Sequence, residues 1–364
     1  MKFIAFGDVH ISDSMPFHSP GNNRLAEINM ALAKVVDYAS TEKIKHIFVA
    51  GDTFDSFKVS PSEFQVFTRF VENLWLANLE ANFINGNHEI DEGGNSLFNH
   101  LIRYPNIVSY PSIRRLAIDD ADFTMINYAH STTEFIDQLE AFTNNPGVND
   151  KQILIAHQPV QGRWFKLTKS RSGLPKDLFK RKGIIGKNFD FSIFGDFHKH
   201  QWLPYKKGIY TGSLTQNDFR DEGGPTLFHV FDTDDLPNFE SIDVQAPTFH
   251  IIHVSEGTRI DFKAVKPNSY IRVVVTGTRA FLKAWDPARL LLRLEKKYAP
   301  KKINIQRFAT DKILIETGGG VKRNMGDEDM VNAIIEHSRE ENLSERAVYE
   351  KGIYYLRKAR EKMK

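Results

Sequence analysis

Short apolar runs, each ending in a polar or glycine-containing loop, recur along the first two thirds of the chain. KFIAFG (2–7), HIFVAG (46–51), FTMINYA (123–129), QILIAH (152–157), FDFSIFG (189–195), GIYTG (208–212) and TLFHVFD (226–232) predict strands, and ANFING (81–86) a shorter one. Between the first two, Leu25, Ile28, Leu32, Val35 and Val36 fall on one helical face, so residues 24–39 read as the helix of a strand–helix–strand unit. A second helix is predicted over 61–79, where Pro61 suits the first turn and Phe64, Phe67, Phe70, Val71 and Leu74 form the stripe expected to be buried. Strands that give out into such loops suit a layered α/β fold with its site at the strand ends.

Strand-like text breaks at a proline within QAPTF (245–249). Beyond it, YIRVVVTG (270–277), a helix over 287–298 and INIQRF (303–308) predict a small β-α-β unit. The triplet Gly318-Gly319-Gly320 reads as a flexible joint. Two helices are predicted after it, near 327–340 and 344–362, the second with Val348, Gly352, Tyr355, Leu356, Ala359 and Met363 near one stripe. A length of 364 residues fits this division into two or three domains.

Charge sharpens the division. The net charge is only +2, but residues 1–161 hold 11 Lys+Arg against 20 Asp+Glu, a net −9, and residues 162–364 hold 37 against 26, a net +11. An acidic part suited to cations is followed by a basic part suited to a polyanion. Residues 162–187 contain Arg163, Lys166, Lys169, Arg171, Lys176, Lys180, Arg181, Lys182 and Lys187 against the single acid Asp177. Most charge runs are solvated loops; this one lies between two sets of ligand-capable residues, which favours contact with a phosphate backbone. Residues 263–302 carry 11 basic residues against Asp286 and Glu295. Trp164 and Phe165 could stack on bases, although core packing or a surface patch is the plainer expectation.

The absence of cysteine removes disulfides, thiolate-bound zinc, iron–sulfur clusters and thiol nucleophiles, so any metal site must be built from imidazole and oxygen donors. Neither a signal peptide nor an apolar run long enough to span a membrane is evident, and a cytoplasmic protein of a bacterium or a virus-infected host cell is expected. Against that background the placement of five short motifs stands out. Asp8 and His10 form D-x-H directly after the first strand, Asp52 follows Gly51 after the second, and Asn87 and His88 lie in G-N-H after ANFI. His157 ends QILIA, and Gly195-Asp196-Phe197-His198 ends FDFSIF. Each motif alone is ordinary turn chemistry; all five at successive strand ends point to a metal site. These donors suit Mn, Mg, Fe or Zn, and two such ions about 3.5–4 Å apart can clamp a phosphate and activate water. Asp52 is the candidate bridging carboxylate.

The succession D-x-H, G-D, G-N-H, H and G-x-x-H resembles the calcineurin-like metallophosphoesterases over roughly residues 1–232. Within them MKFIAFGDVHIS, LIAHQPV and the β-α-β unit followed by C-terminal helices resemble the SbcD type, nuclease subunits of double-strand-break repair complexes. The resemblance implies a two-sheet sandwich flanked by helices as a nuclease domain over 1–245. It further implies a small α+β DNA-binding cap over 246–317, and a linker with helices over 318–364 that bind an SbcC-like ATPase. It implies one ion held by Asp8, His10, Asp52 and His198, another by Asp52, Asn87, His157 and Asp196, and His88 as the catalytic imidazole. Two divalent ions, expected to be Mn²⁺ with Mg²⁺, Fe²⁺ or Zn²⁺ as alternatives, would support 3′ to 5′ exonuclease activity on duplex ends and endonuclease activity, with a homodimer inside the complex. The family often has histidine where Asp196 stands, which makes His200 an alternative or supporting ligand, and commonly has aspartate where Glu89 stands. Glu89 is expected to orient His88. A small-molecule phosphodiesterase or phosphatase of the same superfamily, or a DNA-tethering scaffold without activity, remains the alternative. His18, His46, His100, His229, His250, His253 and His337 are expected to pack or lie on the surface, and His130 is unassigned.

Overall fold

The computed structural model describes residues 1–13, 24–91, 93–98, 105–109, 113–145, 147–160 and 173–310. They belong to one compact unit, Met1–Thr310; the second unit, Asp311–Lys364, lies outside the described residues, and with it both predicted C-terminal helices.

Two six-stranded sheets form most of the unit. The first has β1 (Lys2–Phe6), β2 (His46–Ala50), β3 (Glu80–Ile84) and β4 (Ile107–Ser109) in parallel, with β11 (Leu227–Asp232) antiparallel beside β1 and β12 (Phe239–Asp243) antiparallel beside β11, in the order β12-β11-β1-β2-β3-β4. The second follows the order β5-β6-β7-β8-β10-β9, built from β5 (Arg114–Ile118), β6 (Ala121–Ile126), β7 (Lys151–His157), β8 (Phe191–Gly195), β9 (Gln201–Trp202) and β10 (Gly208–Tyr210). Their central strands are mostly apolar on both faces, because both faces are covered. In β1, Phe3 and Ala5 point between the sheets, while Ile4 and Phe6 pack with α1 (Arg24–Thr41) and α2 (Pro61–Leu76). In β7, Ile153 and Ile155 face the other sheet, and Leu154 and Ala156 join Phe135 and Leu139 of α3 (Thr132–Thr143) and Ile185 of α4 (Ile184–Asn188). Stacked and edge-on phenylalanines, among them Phe3, Phe48, Phe123 and Phe231, fill the space between the sheets.

The predicted helices form with small differences. α2 opens on a capping box: Glu63 N–H donates to Ser60 Oγ and Ser60 N–H donates to Glu63 Oε2 at 2.7 Å. Phe64, expected in its buried stripe, is 43% exposed, because the stripe that meets the core is Phe67, Phe70, Val71 and Leu74 with the capping Glu63 below it. The short strands β4 and β9, the edge strands β5 and β12 with their mixed residues, and the helix α3, which buries only Phe135 and Leu139, lacked a strong apolar pattern.

After residue 245 the chain builds a third, parallel sheet in the order β13-β14-β15 from β13 (Phe249–Ser255), β14 (Tyr270–Gly277) and β15 (Lys302–Ala309), with α5 (Arg279–Ala284) and α6 (Ala288–Tyr298) in the β14-to-β15 crossover. Ile252, Val273, Val275 and Leu294 lead its own core. It is tied to the first sheet's helix layer by a buried ion cluster. Arg24, fully buried, pairs with Glu27, donates to Gln216 O at 2.6 Å and lies over the Phe249 and Tyr270 rings. Tyr270 Oη donates to Glu27 Oε1 at 2.8 Å, and Lys301 Nζ lies 3.2 Å from the same oxygen. A buried guanidinium tolerates this position because its charge is met by Glu27 and both terminal NH₂ groups find acceptors. Among the described residues no helix is long and apolar enough to cross a membrane.

Candidate metal centre

The two sheets bring the carboxyl ends of β1, β2, β3, β7 and β8 to one place, and the five motifs meet there. The chain turns sharply as it leaves the strands: Asp8, His10, Asp52 and Asp196 have φ of 49°, 49°, 47° and 100°. Such left-handed conformations cost roughly 1–2 kcal/mol per residue for most side chains, and Asp and His tolerate them better than most. Backbone pairing continues past the strands to hold the turns. Asp8 N–H donates to Gly51 O at 3.1 Å and His10 N–H to Asp52 O at 3.0 Å. Gly51, at φ 82°, has its Cα against the His157 ring, where a Cβ would lie 2.4 Å from Nδ1. Glycine is required there twice over, by the backbone angle and by the ring.

The side chains form a linked set. Ligand-capable atoms of Asp8, His10 and His198 lie within 4.8 Å of one another, as do those of Asp8, Asp52 and His157, and those of His10, Asp55 and His88. Asp52 is central, its Oδ2 lying 3.3 Å from His157 Nε2, 3.6 Å from His10 Nε2 and 3.9 Å from His88 Nε2. Asn87 Oδ1 is 3.3 Å from His157 Nε2, and Asp196 is joined through its N–H, which donates to Asp8 Oδ1 at 3.0 Å. His10, Asp52 and His157 are buried, whereas the His88 side chain keeps 34% of its surface open to solvent.

Three imidazoles are oriented alike. His157 Nδ1–H donates to Ala50 O at 2.8 Å, His10 Nδ1 is paired with Asp55 Oδ1 at 3.1 Å, and His198 Nδ1 with Asp221 Oδ1 at 3.0 Å. Each Nδ1 is occupied by an oxygen acceptor, which turns Nε2 toward the other ligand-capable atoms, the arrangement that prepares histidine for a metal. Asp8 Oδ2 and His10 Nε2 are buried with no hydrogen-bond partner. A buried carboxylate oxygen and an imidazole nitrogen without partners are costly unless a cation meets them. The donor set therefore fits a hard or borderline divalent ion.

The protonation equilibria carry the same message. Burial raises the Asp8 carboxyl to about 6 against the pull of His157 and His198. Burial also opposes ionisation of Asp52, but the neighbouring His157, His10 and His88 outweigh it and hold Asp52 well below the usual carboxylate range. Burial disfavours the charged forms of His157 and His198, yet the carboxylates around them win: Asp52, Asp8 and Asp196 raise His157 to about 10, and Asp221 and Asp8 raise His198 to about 9. Without a metal, protons on imidazole balance the carboxylate charge, so metal uptake must release protons.

Several expectations change. Glu89 does not reach the His88 ring. It is fully buried and accepts from the N–H groups of Asp52 at 3.0 Å and Gly86 at 2.8 Å on Oε2, and of Phe54 at 2.7 Å on Oε1. Those three N–H groups hold the carboxylate under the loops instead of against the imidazole. The group that His88 Nδ1–H meets is the Asp55 carbonyl oxygen. His200 is in none of the three ligand groups; its Nδ1–H donates to Tyr210 O at 3.0 Å and its ring lies 4.6 Å from that of His229 and 5.8 Å from that of Phe239. His130 is exposed and lies edge-on to Tyr128. Asp55 and Asp221 were missed. Asp55 sits three residues after Asp52, a spacing that could have drawn attention, whereas Asp221 closes a short 3₁₀ turn, Phe219–Asp221, with no strand-end pattern around it. Lys180, Arg181 and Lys182 are exposed, Lys180 paired with Asp177 at 2.7 Å. Arg163, Lys166, Lys169 and Arg171 lie outside the described residues.

Residues 1–200 match the family described as calcineurin-like phosphoesterase. Among solved structures, the chain is similar to a dimetal phosphatase from Danio rerio, at 10% identity and a TM-score of 0.40, covering 63% of this chain and 91% of that one. It is also similar to a cold-active protein-tyrosine phosphatase of a psychrophilic Shewanella species, at 13% identity and a TM-score of 0.30, covering 66% and 80%.

Proposed function

Because the chain belongs to the calcineurin-like phosphoesterase family, we propose that its strand-end cluster hydrolyses phosphodiester bonds of DNA, as the nuclease subunit of an SbcD-type complex. Asp8, His10, Asp52 and His198 would hold one divalent ion, and Asp52, Asn87, His157 and Asp196 a second, with Mn²⁺ as the favoured metal. Two ions so held supply charge for the phosphate oxygens and acidify water at the site. The remaining work falls to the chain's own groups. Asp55 and Asp221 fix the His10 and His198 rings, and Ala50 O fixes His157. His88, oriented by the Asp55 carbonyl and still open to solvent, is placed to hydrogen-bond or protonate the leaving oxygen.

The observation that carries the DNA reading is charge. The third sheet and its helices, which share the compact unit with the acidic centre, expose Lys263, Lys283, Arg289, Arg293, Lys296 and Lys297. A small phosphate ester needs no such surface; a nucleic-acid backbone does. Labelled duplex DNA and bis(p-nitrophenyl) phosphate, each with Mn²⁺ or EDTA, test the proposal. Mn²⁺-dependent cleavage of DNA that disappears in Asp52→Asn supports it. Hydrolysis of the small ester alone would replace it with a small-molecule phosphodiesterase, and DNA binding without cleavage with a scaffold. The stripe of the predicted last helix further supports docking of an SbcC-like ATPase. A chain ending at residue 320 should lose that partner and keep its metal.

A further inference from the structure

The third-sheet unit contains a cleft of about 870 Å³ that shares no residue with the metal centre. Five cations line it, Arg259 and Lys263 from the segment between β13 and β14, and Arg289, Arg293 and Lys297 from α6. All five are exposed, and among the described residues none makes an ion pair. The two acids in the wall are turned to local work: Asp261 accepts from Lys263 N–H and Asp286 from Ala288 N–H, both at 2.9 Å. The cleft therefore presents an unbalanced positive charge over a short distance.

Its inner surface is of a different kind. Phe262, Trp285 and Tyr298 line it together with Ile260 and Leu290. The Arg293 guanidinium lies 4.2 Å from the Phe262 ring centre, which leaves its outer face as a flat cationic platform, and Lys297 lies over Tyr298 at 5.0 Å. A cationic rim over an aromatic interior matches a ligand with phosphates and flat rings. In a duplex the bases are stacked inside and only phosphates reach a protein surface of this shape. An unpaired strand offers both. We propose that this cleft binds a single-stranded segment of nucleic acid, its phosphates on Arg259, Lys263, Arg289 and Arg293 and a base against Trp285 or the Arg293–Phe262 stack. The proposal rests on the DNA reading above and adds to it the strand form that the cap holds.

The test is binding by the full chain in EDTA, so that nothing is cleaved, using fluorescein-labelled twelve-residue oligothymidylate, an abasic oligomer of equal charge, and a duplex of the same length. The single strand should bind tightest, with the abasic oligomer weaker by about fivefold or more, since stacking of one base on an aromatic ring contributes roughly that much or above. The double variant Arg289→Glu, Arg293→Glu changes exposed helix positions, and its thermal melting checks the fold. It should weaken oligothymidylate at least tenfold and lower the slope of log affinity against log salt by about 1.4, two contacts at about 0.7 each. Equal binding of abasic and normal strands, preference for duplex, or unchanged affinity in the folded double variant would each overturn the cleft assignment. Hydrolysis by the wild-type chain is measured separately. Failure to cleave DNA with the expected binding pattern intact would sink the nuclease reading and leave this one standing.

Discussion

Glu89→Gln isolates the carboxylate that underlies the metal loops without touching a proposed ligand. Glu89 accepts three backbone N–H groups, from Asp52, Gly86 and Phe54, at 2.7–3.0 Å in a fully buried position. The amide is nearly the same size but has only one oxygen. If that oxygen takes the position that serves Asp52 and Gly86, the NH₂ group faces Phe54 N–H, donor against donor. A buried donor left without an acceptor costs about 1–3 kcal/mol, and the amide's own buried protons add a similar amount, so the expected loss is about 2–6 kcal/mol. Burial and the neighbouring Asp52 raise the Glu89 carboxyl to about 8, so urea unfolding in EDTA at about pH 9, where the carboxylate is ionised, reads this loss directly.

The same three bonds join the turn after β2, which carries Asp52, to the turn before Asn87. Loosening them should weaken Mn²⁺ affinity by roughly 10- to 100-fold, the range for groups that orient metal ligands. That corresponds to about 1.4–2.7 kcal/mol and is measurable by calorimetric titration. The two readouts must move together. Wild-type unfolding free energy and wild-type Mn²⁺ affinity in Glu89→Gln would refute the view that this carboxylate ties the loops together. A stability loss with unchanged metal affinity would confine its role to the fold.

Three further tests follow from the same geometry. His88→Ala should lower turnover by about 10²- to 10⁴-fold with little change in melting temperature, whereas His200→Ala should keep turnover within a few-fold and lose stability, because its ring packs on His229 and Phe239. The reverse ranking would return His200 to the metal site. Asp221→Asn should weaken metal binding roughly 10-fold or more by freeing the His198 ring, and equal titration curves for variant and wild type would exclude that coupling. His229 is buried, and its imidazole is pushed down to about 3 by burial and by the nearby His200. The unfolded chain binds a proton below about 6.5 that the folded chain refuses, so stability is full above that pH and falls toward pH 3, by up to about 1.4 kcal/mol per pH unit. Urea midpoints in EDTA should drop less with acidification in His229→Gln than in wild type; parallel curves would show that His229 is not a source of acid sensitivity.

Much of the centre was legible because its ligand types are rare at strand ends and their order follows the strands. Asp8, His10, Asp52, Asn87, His88, His157, Asp196 and His198 each stand within four residues after, or at the end of, an apolar run, and parallel strands in two facing sheets deliver those ends to one side. What was not legible depends on contacts between distant segments. Asp221 meets His198 across 23 positions, and Arg24 meets the third sheet only because Gln216, Phe249 and Tyr270 fold over it. Glu89 was misread for a different reason. Its neighbour His88 suggested a side-chain pair, whereas a fully buried carboxylate next to tight turns is drawn to unpaired backbone N–H groups, each of which must find an acceptor.

Those turns also explain why metal affinity and stability should be linked in this chain. Four site residues hold left-handed backbone angles, and Asp8 keeps an oxygen buried without a partner. Both features are unfavourable in the isolated protein. They persist because Glu89, the pairing of the loop after β1 with the loop after β2, and the glycine fitted against His157 hold the strand ends in position. Such a frame keeps its carboxylates at close range against their own repulsion, which a flexible loop would relieve by moving apart. The cation that relieves it instead recovers energy the fold has already spent, and so binds more tightly than the same ligands would on a mobile segment.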